Sequence, residues 1–365
     1  MLFVFWFTFF FGGCCGRWLE QFFAWFHEWA SNAIPGELAK SLFAHGLIGG
    51  IGNIIIYLPN LIILFVLLEI IEESGYMARV AIMLAKILRR FGLQTQSIMA
   101  ILIGFGCSVP GILITRNMKQ SRDKIMTMLV VAFTPCSARH PVIVLIAATF
   151  FKENAALVVF LTYMISTAIA LFMALLAKKL FAKEPSYLPE PVVPHLHFPE
   201  IKTVIRHSII YLGSFLRKVG TVILAGAVII WFLQSMPPGA LKNPEISISA
   251  FLGKLIQPIF YPLGFSWREV VALMSGIFAK ELIVSSLGTL YFAGENLSAA
   301  IMQNLNVSQA VAFLTFATLY VPCIPTLVAI KEESKSWKWV FLAAIISFCV
   351  AWFCAFIAYR ISILF

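Results

Sequence analysis

The sequence predicts an all-α fold, a polytopic helical membrane protein with re-entrant, broken helices arranged as an inverted repeat. Three observations predict it. Of 365 residues, 61% are hydrophobic and 12% charged. A soluble domain carries about a quarter charged residues, so this chain has more apolar surface than one aqueous core can hide. The apolar residues gather in runs that reach the ~20 residues needed to cross a bilayer. Two further apolar segments are interrupted by glycine, proline or charge, and they echo each other. The net charge of +10 lies in short basic clusters between the apolar runs. That is the pattern of the positive-inside bias, so the lipid bilayer is the expected partner and nucleic acid is not.

Taken in order, the chain opens on MLFVFWFTFFF, which lacks the basic start and small-residue cleavage site of a signal peptide and reads as a partial membrane segment. Trp18, Phe22, Trp25 and Trp29 then recur at helical spacing opposite Glu20, His27 and Glu28, which predicts an amphipathic helix lying in the interface. Spanning runs follow at 47–72, 124–150, 155–181, 217–236, 306–330 and 339–363. The stretch KEPSYLPEPVVPHLHFPE carries five prolines and reads as an extended linker. The organisation expected is a partial segment with its interfacial helix at 1–46, a first membrane half at 47–181, a cytosolic proline-rich linker at 182–216, and a membrane core with the second half at 217–365.

The segments 97–116 and 268–293 are not ordinary spans. As helix interior, GFGCSVPG at 104–111 would cost about 6 kcal/mol, from three glycines at ~1 and a proline at ~3. The basic clusters Arg89-Arg90 and Arg116–Lys124 both favour the cytosolic side, so the segment between them should enter and leave by one face. Unwound backbone at membrane depth survives only where it is buried or lines a polar cavity, and there it offers carbonyls and half-helix ends to a ligand. SIMAILIGFGCSVP resembles EVVALMSGIFAKEL at 269–282, and AFTPCSARHP at 132–141 resembles TLYVPCIPTL at 318–327. One spanning run between the halves would invert the second relative to the first, which is a transporter pattern.

The residues that could carry chemistry cluster at these breaks. Cys107, Cys136 and Cys323 each adjoin a glycine or proline. Each could be a packing residue, or the three could offer soft ligands to a transition metal with help from hydroxyls such as Ser108, Ser137 and Thr326. The other four cysteines show no metal-finger spacing and no disulfide framework. Glu281 could bind a metal or a proton, with Lys280 or Arg139 as counter-ion, or these charges could form an internal salt bridge. Glu69, Glu72 and Glu73 share a helix face, His140 follows Arg139, and each is either functional or structural on this reading.

The runs EESGYMARVAIMLAKILRRFGLQTQSIMAILIGFGCSVPGILITRN, TPCSARHPV, REVVALMSGIFAKELIVSSLGTLY and YVPCIPTLVAIKEE together resemble the membrane region of the ferrous iron transport protein B (FeoB) family, in order and over nearly the whole chain. The resemblance implies multi-pass placement in the bacterial inner membrane and uptake of Fe(II) as a transported substrate, with no permanently bound cofactor. It carries the metal path onto Cys107, Cys136 and Cys323, an acidic motif onto Glu72 or Glu73, and a Lys-Glu pair onto Lys280 and Glu281. It further implies a cytosolic G domain as gating partner, separate or removed, since GELAKS at 36–41 is not a phosphate-binding loop. The chain is then a transporter and not an enzyme, and homo-oligomerisation is left open. His140 stands where the family suggests an apolar residue, which leaves manganese or zinc as rival metals. The alternative is a proton- or sodium-coupled nucleoside or solute carrier, with Glu281 as coupling acid and the cysteines as packing.

Overall fold

At membrane depth an apolar run satisfies its backbone either within a helix or in a closed barrel of strands, and helix is what the computed structural model shows. It describes residues 16, 18, 19, 21, 22, 49–88, 91, 93–118, 121–181, 198–215, 220–237, 244–291 and 296–364, with no strand among them. The apolar N-terminal run, most of the Trp18–Trp29 stretch, Arg89-Arg90, residues 182–197 of the proline-rich linker and Arg217-Lys218 lie outside the described residues. The chain divides into two compact units, residues 1–76 with 196–253, and residues 77–195 with 254–365.

In the first unit, α1 (Gly49–Glu73) is followed by the turn Ser74-Gly75; α2 (Tyr76–Leu88) comes next in the chain and, from Met77 on, belongs to the second unit. Gly75 has a φ of 75°, a left-handed turn that glycine adopts without steric cost. Helices α8 (Ile201–Phe215) and α9 (Thr221–Ser235) both pack on α1. Across the α1–α8 contact, Glu69 Oε1 lies 2.8 Å from His207 Nδ1.

The second unit holds the two repeats. In the first, α3 (Thr95–Gly106) is separated from α4 (Ser108–Leu113) by one extended residue, Cys107, with φ −148° and ψ 131°. A 12-residue helix rises only about 18 Å, short of a ~30 Å hydrocarbon core. The chain instead turns back. A Cβ built on Gly111 would fall 2.7 Å from the Ala100 carbonyl oxygen and 3.1 Å from Gly104 Cα, so the two limbs touch backbone to backbone. Helix α5 (Ser121–Phe133) breaks at Cys136, passes through a 3₁₀ turn at Ser137–Arg139 and continues as α6 (His140–Phe150). The unbroken α7 (Ala155–Phe181) follows.

The second repeat copies this plan. After α10 (Ile248–Phe260), α11 (Trp267–Phe278) has both its ends displaced by 172 positions from those of α3, from 95 to 267 and from 106 to 278. Ala279 stands where Cys107 stood and has nearly the same backbone angles, φ −148° and ψ 134°. Helix α12 (Leu282–Leu290) folds back, so that the Tyr291 hydroxyl at its end bonds the Glu269 carboxylate at the start of α11. After α13 (Leu297–Asn304), α14 (Val307–Leu319) breaks at Cys323 and resumes as α15 (Ile324–Ser334), and the unbroken α16 (Trp337–Leu364) closes the chain.

Packing confirms the correspondence. The α4 limb of the first hairpin lies on α15 of the other repeat, and the α12 limb of the second lies on α6, so each hairpin is held by its counterpart's broken helix. The aromatic core sits on the second repeat, where Phe260, Phe265, Phe313, Phe316 and Phe348 pack largely edge to face, as ring quadrupoles favour. Among the described residues, four helical stretches are long and apolar enough to cross a membrane: Arg122–Phe150, Ala155–Lys179, Val307–Ser334 and Trp337–Leu364. A fifth is obtained if Ile248–Leu263 and Trp267–Phe278 are counted together, although 105° separates their axes. The chain is a multi-pass membrane protein. That 105° bend is a feature the sequence reading did not place. It follows from Gly264 at φ 74° and from the capping box of Ser266 and Glu269, which starts α11 afresh.

Substituting Gly111 by alanine forces a methyl into backbone that cannot give way, and should destabilise the protein by about 1–3 kcal/mol. Gly288, beside which a Cβ meets nothing within 4 Å, is the contrasting helix position. Gly288→Ala should leave the midpoint of thermal unfolding in detergent unchanged or slightly raised, while Gly111→Ala lowers it.

Candidate functional site

The sequence places a polar or cysteine residue at every point where a helix of the second unit is interrupted, and the structure ties these points together. Ser137 Oγ at the α5–α6 break donates to the Gly106 carbonyl (2.6 Å) at the apex of the first hairpin. Arg139, two residues on and only 3% exposed, reaches across to the α14–α15 break. Its Nη1 bonds the Thr318 carbonyl and donates to that of Thr134 (3.4 Å), and its Nη2 donates to the Tyr320 carbonyl (3.3 Å). Lys280, at the apex of the second hairpin, donates Nζ to the Val321 carbonyl (2.6 Å) and lies 3.2 Å from the centre of the Tyr320 ring. Two hairpin apices and two broken helices thus form one hydrogen-bonded chain.

The three cysteines lie along it. Cys107 is the extended apex residue of the first hairpin, Cys136 is buried just before Ser137, and Cys323 opens α15. Cys107 is within coulombic reach of Cys136, Cys323 and Glu281, and Cys323 is within reach of Cys136. Cys323 Sγ lies 3.1 Å from Thr326 Oγ1, and Thr326 is itself buried. Among the described residues, no group of three or more His, Cys, Asp or Glu side chains is placed to hold a metal ion together. The three thiols thus stand singly, one at each of three helix breaks.

The expectation that the breaks leave their carbonyls open to a ligand needs correction. The carbonyls of Gly106, Thr318, Tyr320 and Val321 are accepting from Ser137, Arg139 and Lys280. At membrane depth an unpaired carbonyl costs several kcal/mol, and the protein meets that demand with its own donors. Arg139 and Lys280 therefore act on backbone dipoles, and neither shows a carboxylate hydrogen-bond partner among the described residues.

The remaining expected residues lie elsewhere. His140 turns to α7, with Nδ1 3.3 Å from the Tyr163 hydroxyl. Glu69 pairs with His207 in the first unit, Glu72 is exposed, and Glu73 has a buried carboxylate oxygen, Oε2, without a hydrogen-bond partner. The sequence reading missed three features. Tyr320 is buried with its hydroxyl unpartnered. Glu269 joins Ser266 to Tyr291. Glu333 accepts from Arg116 Nη2 (2.6 Å) and Lys124 Nζ (2.8 Å), clasping the end of the first hairpin and α5 to α15. The Lys124 limb should matter more, because Arg116 is 65% exposed against 17% for Lys124, and solvent screens exposed pairs. Only the KEE run at 331–333, acidic at the end of an apolar segment, could have signalled this clasp.

Comparison with known proteins gives a consistent picture. The family model Gate, described as nucleoside recognition, matches residues 54–150 and 216–337. The chain is 37% identical over 336 residues to the Fe(2+) transporter FeoB of Methanocaldococcus jannaschii, which covers 89% of this chain and 50% of that one. It is 33% identical over 399 residues to an Fe(2+) transport protein A/Fe(2+) transporter FeoB fusion protein of Porphyromonas gingivalis, covering 95% of this chain and 47% of that one. To the Fe(2+) transporter FeoB of Campylobacter jejuni it is 33% identical over 384 residues, covering 99% and 62%. The chain thus spans about half the length of the first two relatives. No solved structure matches.

Arg139 carries the link between the repeats, and its loss should be felt in stability. Arg139→Met leaves the Thr134, Thr318 and Tyr320 carbonyls short of a donor, at about 3 kcal/mol in total since such losses are not additive. Arg139→Lys, which keeps the charge but not the fork, should fall between. Thermal unfolding in detergent would measure both, and equal midpoints for all three proteins would show that the fork is not what joins the breaks.

Proposed function

The chain belongs to the Gate family and carries an FeoB-type membrane region, and we propose that it forms the path by which ferrous iron enters across the bacterial inner membrane. The observation that carries this reading is the series Cys107, Cys136 and Cys323, each at a helix break and each within coulombic reach of another. Borderline and soft transition metals favour thiolate over the oxygen donors that suit calcium or magnesium. A site made of single thiols backed by Ser137, Thr326 and the Glu281 carboxylate can bind such an ion and release it.

Iron is here the cargo, passed from one thiol to the next between the two hairpin apices. Glu281, beside Lys280 at the second apex, would neutralise part of the charge of the arriving dication. Glu69, Glu72 and Glu73 belong to the first unit and would act in coupling rather than as ligands. His140, held by Tyr163, would tune the Cys136 region. The G domain that gates transport would act on this region from a separate chain or from sequence beyond these residues, and any GTP hydrolysis would reside there. Manganese and zinc are the competing cargoes. The description of the matching family, nucleoside recognition, keeps a proton- or sodium-coupled nucleoside or solute carrier as the second reading.

Reconstitution of the purified chain in liposomes, reduced and anaerobic, tests the proposal. Fe(II) should bind saturably, and Cys107→Ser, Cys136→Ser or Cys323→Ser should each weaken binding at least tenfold, about 1.4 kcal/mol, without lowering the unfolding midpoint by a comparable amount. Uridine should neither move nor compete. Uridine flux together with cysteine-independent metal binding would replace the metal path with the carrier.

A further inference from the structure

Lys280 is a buried basic side chain for which the proposed path has no use. It is 2% exposed, and within the described residues it makes one hydrogen bond, to the Val321 carbonyl. Arg139 beside it is differently held, forked onto three carbonyls that belong to two broken helices. The number of partners sorts the two groups. Arg139 is a fixed strut, whereas Lys280 hangs on one carbonyl and one aromatic face, and its amino group has donor capacity left over.

Its surroundings are those of a cation site. The Val321 carbonyl lies two residues before Cys323, the Tyr320 ring presents its negative face at 3.2 Å, and Cys136, Cys323 and Glu281 are all within coulombic reach, as is the Arg139 guanidinium, whose own charge is turned onto three carbonyls. The Tyr320 hydroxyl is buried and without a partner. Ring face, carbonyl oxygen and thiol are the groups that attract a cation, and here a tethered amine already fills the place among them. The corresponding position in the first hairpin, displaced by the same 172 residues, is Ser108, buried and uncharged. Only one of the two apices carries a plug.

We propose that Lys280 occupies the station of the transported cation beside Cys323, and that a metal must displace it from the Val321 carbonyl to pass. This rests on the reading of the path given above and names what regulates it. Lys280 sets the affinity of the Cys323 station. With the lysine in place the station repels a dication, and with the lysine withdrawn the same carbonyl and thiol become available together.

Anaerobic binding isotherms of Fe(II) and Co(II) to the purified full chain test this with wild type, Lys280→Met, Lys280→Arg and Cys323→Ser. Lys280→Met should bind both metals about tenfold more tightly than wild type, and Lys280→Arg no more tightly than wild type. In liposomes the tighter binding should slow release, so that Lys280→Met saturates at lower Fe(II) and turns over more slowly. Unchanged or weaker binding by Lys280→Met overturns the proposal, weaker binding marking the lysine as a ligand or as a purely structural donor. If Cys323→Ser weakens binding while Lys280→Met does not tighten it, the lysine proposal alone falls. If Cys323→Ser binds as wild type does, the thiol path itself is wrong. Should Lys280→Met fail to fold, Lys280→Gln keeps a donor for Val321 while removing the charge. A second readout, the rate of mixed-disulfide formation at Cys323 with cationic against anionic methanethiosulfonates (methanesulfinate leaving), should then shift at least fivefold toward the cation, and no shift overturns the proposal.

Discussion

The second unit depends on the reach of the Arg139 guanidinium from one broken helix to the carbonyls of the other. Each break leaves backbone oxygens that neither helix can use, in a setting where water is scarce. A single planar fork with five donors in fixed directions can serve several of them at once and across a wider span than one ammonium or hydroxyl. Because the carbonyls come from both repeats, satisfying the backbone and joining the repeats are one event. The hairpins then seat against broken helices that already hold one another, α4 on α15 and α12 on α6.

Much of this was legible in the sequence, and the reasons are local. The Cys107 break shows because glycine and proline raise the cost of helix at 104–111 beyond what the flanking residues recover. The repeat shows because the breaks recur with the same neighbours. The bend before α11 was equally readable, since Pro262, Gly264 and the Ser266–Glu269 spacing are turn and cap signals. These signals lie just ahead of the apolar run at 268–293, whose own interruption at Lys280-Glu281 is the stronger local feature. What no local pattern carries is the pairing. Arg139 is 179 and 181 positions from Thr318 and Tyr320, and Glu333 is 217 from Arg116. A charged residue in an apolar run announces that it has a partner without saying which, and here the partner of Arg139 turned out to be backbone rather than a carboxylate.

The duplicated plan also shows how a symmetric scaffold is made unequal. Backbone angles at Cys107 and Ala279 nearly coincide, so the two apices have one shape, yet one bears a thiol and the other an alanine followed by Lys280 and Glu281. The geometry is shared and the chemistry is not. One backbone shape thus presents a thiol at the first apex and a pair of opposite charges at the second.

A similar inequality marks how the hairpins are fastened where they begin and end. The first is secured by Arg116 and Lys124 on Glu333, with Arg116 standing 65% in solvent. The second is secured by the Ser266–Glu269 box and Tyr291, bonds between a sheltered carboxylate and uncharged donors. Salt and solvent weaken an exposed ion pair, and they have far less purchase on the sheltered set. Ionic strength thus bears more on the fastening of the first hairpin than on that of the second, and a change of salt would loosen the two related hairpins to different degrees.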